Sequence, residues 1–257
     1  MARALSKMGY CSRSQAAALI KSGRVTLNGR LVRDPETPSR VEHDHIAVDG
    51  APVEKRARIY LMMNKPRGLV TTASDEEGRA TVYDLLKSID TASPDWVGPV
   101  GRLDKASEGL LLFTNDSKWA AQITDPDSHL QKCYHVQVDC VAGNELLTRI
   151  RRGVSAGGER LSVKSVGILR AGSKNSWLEI HLDEGRNRHI RRLLDGLGMH
   201  VLRLLRTSIG PLELGELKKG MVRRLTSAEK RMIDEALEVG EGLVSAKSNR
   251  RVPKNVG

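Results

Sequence analysis

Leu110-Leu111-Leu112-Phe113 places four apolar residues in succession, with Arg102, Asp104, Lys105 and Glu108 just before them and Asn115 and Asp116 just after. A run this short and this apolar reads as a buried strand. A chain containing it must carry a charged loop straight into its core. Around that strand the pattern is mixed. Further strands are expected at residues 59–63, 134–138, 161–166, 177–182 and 201–205, and helices at 82–86, 118–123, 145–151 and 187–194. Thr226 and Glu229 have capping-box spacing and open a last helix running to about residue 237. Consecutive strands with interspersed helices define an α+β domain with a mixed, largely antiparallel sheet flanked by helices, not a doubly wound one.

Residues 1–51 read as a separate small module. Ser12 and Gln15 form a capping box that starts a helix through Ala16, Ala17, Leu19 and Ile20, and Gly23 supplies its left-handed C-terminal cap. Short strands at 24–27 and 30–32 flank Asn28-Gly29, a pair suited to a tight primed turn, and a third strand at 46–48 ends at Asp49-Gly50. Arg13, Lys21, Arg24 and Arg30 lie on or beside the helix and hairpin, where they can form one basic face. A solvated charged surface is the plainer reading of that face. Residues 52–58 are polar and read as a linker, 59–241 form the larger domain, and the Ser-, Lys- and Arg-rich tail, 242–257, is expected to be disordered.

Hydrophobic residues make up 39% of the 257, enough for a real core, but aromatics are only 3%, so the core is aliphatic. The net charge of +11 points to a polyanionic partner, since basic side chains release the counterions condensed on phosphates. No long apolar run, interfacial basic helix or N-terminal signal core is present, so no membrane partner is expected. Cys11, Cys133 and Cys140 are odd in number and scattered, which fits a reducing cytoplasm better than a disulfide framework or a zinc pattern. The seven histidines, including His43 and His45, lack an evident set of partner ligands, and no metal is expected. A monomer is the default expectation.

Three segments carry chemistry. Met63-Asn64-Lys65-Pro66-Arg67-Gly68 on its own means only a strand exit and a turn. Residues 101–109 form a loop of small and charged residues entering the apolar strand, where a carboxylate such as Asp104 is held by a sheet yet can reach a cleft. On spacing alone the plainer reading of Asp104 is a surface partner of Arg102 or Lys105. Arg186, Arg188, Arg191 and Arg192 crowd one short segment. Such density is unfavourable by self-repulsion unless an RNA phosphate or a carboxylate lies near.

The run at 101–116 (GRLDKASEGLLLFTND) resembles the signature of the ribosomal RNA pseudouridine synthases. So does the run at 184–198 (EGRNRHIRRLLDGLG) with Leu204, Arg206, Ile209 and Gly210 after it. The first sixty residues are similar to the alpha-L RNA-binding motif of a small-subunit ribosomal protein, and the resemblance spans nearly the whole chain in the expected order. It implies that Asp104 is the catalytic aspartate, that Tyr134 stacks on the target base, that Arg191 pairs with the aspartate, and that Leu204 packs beneath the site. His189 stands where many members have Gln and Ser107 where Thr is common. Arg102, Arg186, Arg188, Arg192 and Arg206 are implied phosphate or structural contacts, and Ser12, Arg13, Lys21 and Arg24 are the candidate contacts of the N-terminal module to folded ribosomal RNA.

The implied reaction breaks the bond between ribose and uracil nitrogen, turns the base and rejoins it through carbon. It changes no oxidation state and imports no group, so no cofactor is expected. A carboxylate suits it as nucleophile or proton acceptor, and large-subunit RNA is favoured over small-subunit RNA as substrate. Two other readings compete: an RNA-binding assembly factor without activity, and a metal-dependent RNA hydrolase using Asp104, Glu108 and Asp116.

Overall fold

The computed structural model describes residues 1–73, 75–87 and 96–248, with the backbone alone for 241–248. The chain opens with a helix the sequence reading did not anticipate, α1 (Ala2–Lys7), which buries Ala2, Ala4 and Leu5. In α2 (Arg13–Lys21) the capping box is complete: Ser12 Oγ accepts from the Gln15 amide at 3.1 Å, and the Ser12 amide donates to Gln15 Oε1 at 3.0 Å. Strands β1 (Val25–Leu27) and β2 (Arg30–Val32) flank Asn28 and Gly29, both at positive φ as a type I′ turn demands. β3 (Ile46–Val48) continues through a second such turn into β4 (Ala51–Pro52), and the sheet order is β2-β1-β3-β4. Leu5, Ala16, Ile20 and Val25 are fully buried between helices and sheet.

The intended linker is shorter and less free than its polarity implies. Pro52 belongs to β4, Val53 packs into the first core, and Asn115 grips the remainder, donating to the Ala57 carbonyl at 2.8 Å and accepting from the Ile59 amide at 2.9 Å.

The larger unit contains β5 (Tyr60–Lys65), α3 (Val82–Lys87), β6 (Gly98–Val100), β7 (Glu108–Thr114), α4 (Ser117–Thr124), β8 (Lys132–Val138), α5 (Asn144–Arg152), β9 (Val154–Ala156), β10 (Glu159–Leu161), β11 (Ser165–Ala171), β12 (Ser176–Leu182), α6 (His189–Asp195), β13 (Val201–Ile209), β14 (Leu212–Glu213), β15 (Val222–Arg224) and α7 (Ser227–Ser248). One mixed sheet runs β11-β12-β8-β13-β7-β5-β15, with β14 on β13 and β6 on β7. Among the described strands the only parallel ladder is β13–β7.

Every residue of β7 is buried. Leu111 and Phe113 enter one core with Tyr134, Val136 and Leu204, while Leu110 and Leu112 enter a second core on the other face with Trp119 and Ile233. A strand covered on both faces has no polar side to show, which is why its sequence does not alternate. Gly109 sits at φ +101°, and a Cβ there would lie 2.2 Å from the Arg206 carbonyl oxygen on β13. Gly109→Ala is therefore expected to cost at least ~3 kcal/mol in urea unfolding, because both backbone strain and a backbone clash oppose it.

Three boundaries differ from the pattern-based expectation. The strand expected at 161–166 is two elements, the end of the β9–β10 hairpin and the start of β11. The basic helix begins later, at His189, because Arg188 takes a left-handed conformation at φ +50°. The last helix continues to Ser248, through residues expected to be disordered from 242. Leu243, Val244 and Ala246 are compatible with helix, so the polar composition misled. The remainder of the expected tail, 249–257, lies outside the described residues. Among the described residues no helix is long and apolar enough to cross a membrane.

Candidate active site

The loop between β6 and β7 is held from three sides. Thr71 Oγ1 donates to the Leu103 carbonyl at 2.7 Å. The Gly68 amide donates to the Lys105 carbonyl at 2.7 Å, and the Ser107 amide closes a turn onto the Asp104 carbonyl at 2.9 Å. Beneath them lies Lys65, with no exposed surface, whose Nζ donates to the carbonyls of Ser107 (2.9 Å), Pro66 (3.1 Å) and Asp104 (3.2 Å). Burial pushes its ammonium down to about 8, with Asp104 and Glu108 opposing that shift. Sequence reasoning treated this segment as a turn and missed Lys65. The faint signal in the sequence was a lysine two residues beyond the apolar run Leu61-Met62-Met63 of the strand Tyr60–Lys65.

Asp104 projects from this fixed loop into a pocket lined also by Leu103, Tyr134, Leu204, Arg188 and Arg206. Its carboxylate is one-third exposed. Tyr134 lies on β8 between Ile180 of β12 and Arg206 of β13, and is 8% exposed. Leu204, opposite Val136, is buried beside it.

The guanidinium that meets Asp104 is not the expected one. Arg188 Nη1 lies 3.8 Å from the Asp104 carboxylate. Arg191 instead donates to the carbonyls of Ala106 (3.0 Å) and Val201 (3.3 Å), and its buried Nε has no partner. Burial chiefly, then the nearby Arg188, lowers the Arg191 pKa, while Asp104 raises it. Arg191 therefore ties α6 to the aspartate loop and adds positive potential. The left-handed residue at the start of α6 carries the side chain that reaches the carboxylate.

The remaining arginines divide. Arg102 is exposed at the pocket and has no hydrogen-bond or ion-pair partner among the described residues. Arg186 lines the pocket but is paired with Glu184 at 2.9 Å. Arg192 is committed to structure: Nη1 meets Glu159 at 2.8 Å and Nη2 donates to the Ala156 carbonyl at 2.7 Å, pinning the β9–β10 hairpin to α6. Of the two roles left open for it, phosphate or structural contact, Arg192 takes the structural one.

Two further cations, not singled out as a pair by sequence, face the pocket together. Lys132 is pushed down to about 8 by burial and by Arg206, against the pull of Asp183. Arg206 is 6% exposed, gives Nε to the Leu110 carbonyl at 2.8 Å, and leaves its buried Nη2 without a partner.

His189, where Gln is common, is 3% exposed, donates through Nε2 to the Ser162 carbonyl (2.8 Å) and is held toward its neutral form by burial. A carbonyl partner requires the proton on Nε2. Ser107 is 1% exposed with an unpartnered hydroxyl. In the N-terminal module, Ser12 is occupied by its cap, and Arg24 grips Asp49 through Nε at 2.8 Å and Nη2 at 2.5 Å. Arg13 and Lys21 are exposed.

The carboxylates of the hydrolase reading do not converge. Glu108 is buried and bonded to Arg203 (3.1 Å) and Lys219 (2.5 Å), and Asp116 caps α4 through the amides of Lys118 and Trp119. Neither carboxylate is available to share a metal ion with Asp104.

Residues 59–195 match the RNA pseudouridylate synthase family, and residues 2–38 match the S4 domain. The chain belongs to the RNA pseudouridylate synthase family and is an enzyme of that class, an isomerase, with an N-terminal S4 RNA-binding domain. It is 38% identical over 226 residues to an uncharacterized RNA pseudouridine synthase of Aquifex aeolicus, covering 88% of this chain and 89% of that one. It is 34% identical to ribosomal large subunit pseudouridine synthase B of Bacillus subtilis, covering 88% and 92%. A pseudouridylate synthase crystal structure superposes with TM-score 0.62 at 28% identity, covering 90% of this chain and 98% of that one.

Proposed function

We propose that this enzyme converts a specific uridine of ribosomal RNA to pseudouridine, with Asp104 as the catalytic group, the target base flipped into the pocket, and no cofactor. The observation that carries this reading is the convergence of the Asp104 carboxylate, the Tyr134 ring and the Arg206 guanidinium, whose Nη2 is unpartnered, on one pocket. In the reaction the C1′–N1 bond breaks, the base turns, and C5 bonds to C1′. C5 then loses its proton and N1 gains one, so the product is an isomer. Asp104 serves as nucleophile or proton acceptor, with Arg188 Nη1 3.8 Å from its carboxylate. Flipping costs a few kcal/mol of lost stacking, and stacking on Tyr134 returns roughly 1–3 kcal/mol. Lys132 and Arg206 are suited to neutralise a phosphate of the extruded nucleotide.

The name of the Bacillus subtilis relative supports large-subunit RNA as the substrate. Mapping pseudouridines in both ribosomal RNAs, with and without this protein, tests it directly: one large-subunit uridine should lose its modification in the absence of the protein. An unchanged map would refute the assignment. Arg13 and Lys21 of the S4 domain are the cations we assign to RNA docking. Removing residues 1–55 is expected to weaken RNA binding at least tenfold by filter binding at fixed salt, since phosphate contacts carry much of the affinity. We place the two units at 1–53 and 59–241, and read the enzyme as a cytoplasmic monomer.

A further inference from the structure

β8 and β12 pair antiparallel with His181 opposite Cys133 and Glu179 opposite His135. Alternation along each strand sends Tyr134, Val136, Ile180 and Leu182 into the core. The four residues between and beside them therefore share the reverse face of the sheet from the pocket. There Cys133 Sγ lies 3.8 Å from His181 Nε2, which lies 3.2 Å from Glu179 Oε1. His135 Nε2 stands 3.5 Å from the other Glu179 oxygen. The donor atoms of Cys133, Glu179 and His181 all fall within 4.8 Å of one another.

A tetrahedral zinc ion with bonds of about 2.3 Å to sulfur and about 2.0–2.2 Å to nitrogen or oxygen sets its ligand atoms roughly 3.3–3.6 Å apart. Separations of 3.8 and 3.2 Å are close to that edge length. One soft thiolate, one imidazole and one carboxylate form a donor set for a borderline cation, and a poor one for Mg2+ or Ca2+, which take oxygen. The side chains of His181 and Glu179 are 29% and 39% exposed, so an ion has access and a fourth position is open to water.

We propose that Cys133, Glu179 and His181 bind a divalent cation of the zinc class, with His135 orienting the Glu179 carboxylate. On binding, the Cys133 thiol passes its proton to solvent, His181 ligates through Nε2 with its proton on Nδ1, and no electron is transferred. The ion joins β8 to β12 directly behind Tyr134. The site is independent of the substrate assigned above.

The test is titration of the full chain with Co2+ in a non-thiol reductant. Expected are one Co2+ per chain, a near-ultraviolet thiolate charge-transfer band, displacement by stoichiometric Zn2+ and none by millimolar Mg2+. Cys133→Ser, close to isosteric, should lose the band and at least tenfold in Zn2+ affinity. Glu179→Gln should weaken Zn2+ at least tenfold while keeping the band, with far-ultraviolet circular dichroism confirming both folds. The proposal is overturned if the unaltered chain shows no band, if the band survives in Cys133→Ser and so arises from Cys11 or Cys140, or if Mg2+ competes as well as Zn2+.

Discussion

Asp104→Ala is expected to lower pseudouridine formation by a factor of at least about 10^4, a barrier increase of roughly 5.5 kcal/mol, while RNA affinity changes less than tenfold. The separation follows from where Asp104 stands. Its carboxylate holds up no part of the fold: the loop is fixed through main-chain carbonyls, and the side chain's ion pair is with Arg188 at 3.8 Å. In the proposed mechanism, removing it deletes the reacting group and leaves Tyr134, Lys132 and Arg206 to receive the nucleotide. Single-turnover release of label from the C5 position, with filter binding in parallel, gives both quantities. A variant that isomerises uridine at the normal rate would remove Asp104 from the mechanism.

Lys65→Met should reduce kcat by about 100-fold with little change in KM, because Lys65 positions the aspartate loop and does not touch substrate. It should also carry a pH signature that a generic packing defect lacks. Lys65 is pushed from 10.5 to about 8 in the folded chain. Between those values the unfolded chain holds a proton that the folded chain has released, so this group's contribution to stability rises with pH across the window. The rise approaches about 3 kcal/mol by pH 10.5. Lys132 contributes a similar rise to both proteins, so the difference between urea-unfolding curves of the original chain and Lys65→Met isolates Lys65. Parallel pH profiles of the two proteins would show that Lys65 is not the buried cation described. Above pH 8 the neutral amine has two donors for three carbonyls, and activity should decline as the loop loosens.

Local physics was legible from residue order wherever a short segment decides its own conformation. Ser12 with Gln15, Thr226 with Glu229, and Asn28-Gly29 each satisfy a nearby backbone need, and each is made as expected. The uninterrupted Leu110–Phe113 run announced a buried strand because two cores claim it. Motif order marked Asp104, Tyr134 and Leu204, which line the pocket, but not Lys132, and it did not mark the residues' partners. Arg191 turns to carbonyls and Arg188 to the aspartate because a left-handed residue at 188 sets where α6 begins. Nothing local to Arg192 or Arg24 reveals Glu159 or Asp49 as their partners, so residue order leaves Arg192 open between phosphate and structural contact and makes Arg24 a candidate RNA contact. Lys65 reads as a turn residue until three carbonyls from two segments are seen around it. The Cys133–Glu179–His181 cluster depends on strand register across more than forty residues, which no spacing rule displays. The opening helix, at six residues, is too short for periodicity to register.

The place of β13 in the sheet has a consequence for when the enzyme first exists. It lies between β7 and β8, parallel to one and antiparallel to the other, joining Leu205 to Glu108 and Leu204 to Val136. Asp104 therefore belongs to one half-sheet and Tyr134 to the other, and residues 201–209 are the seam. A nascent chain that has not yet delivered this seam from the ribosome holds two open-edged halves and no pocket. The pocket is assembled only once residues 201–209 have emerged and paired with both halves.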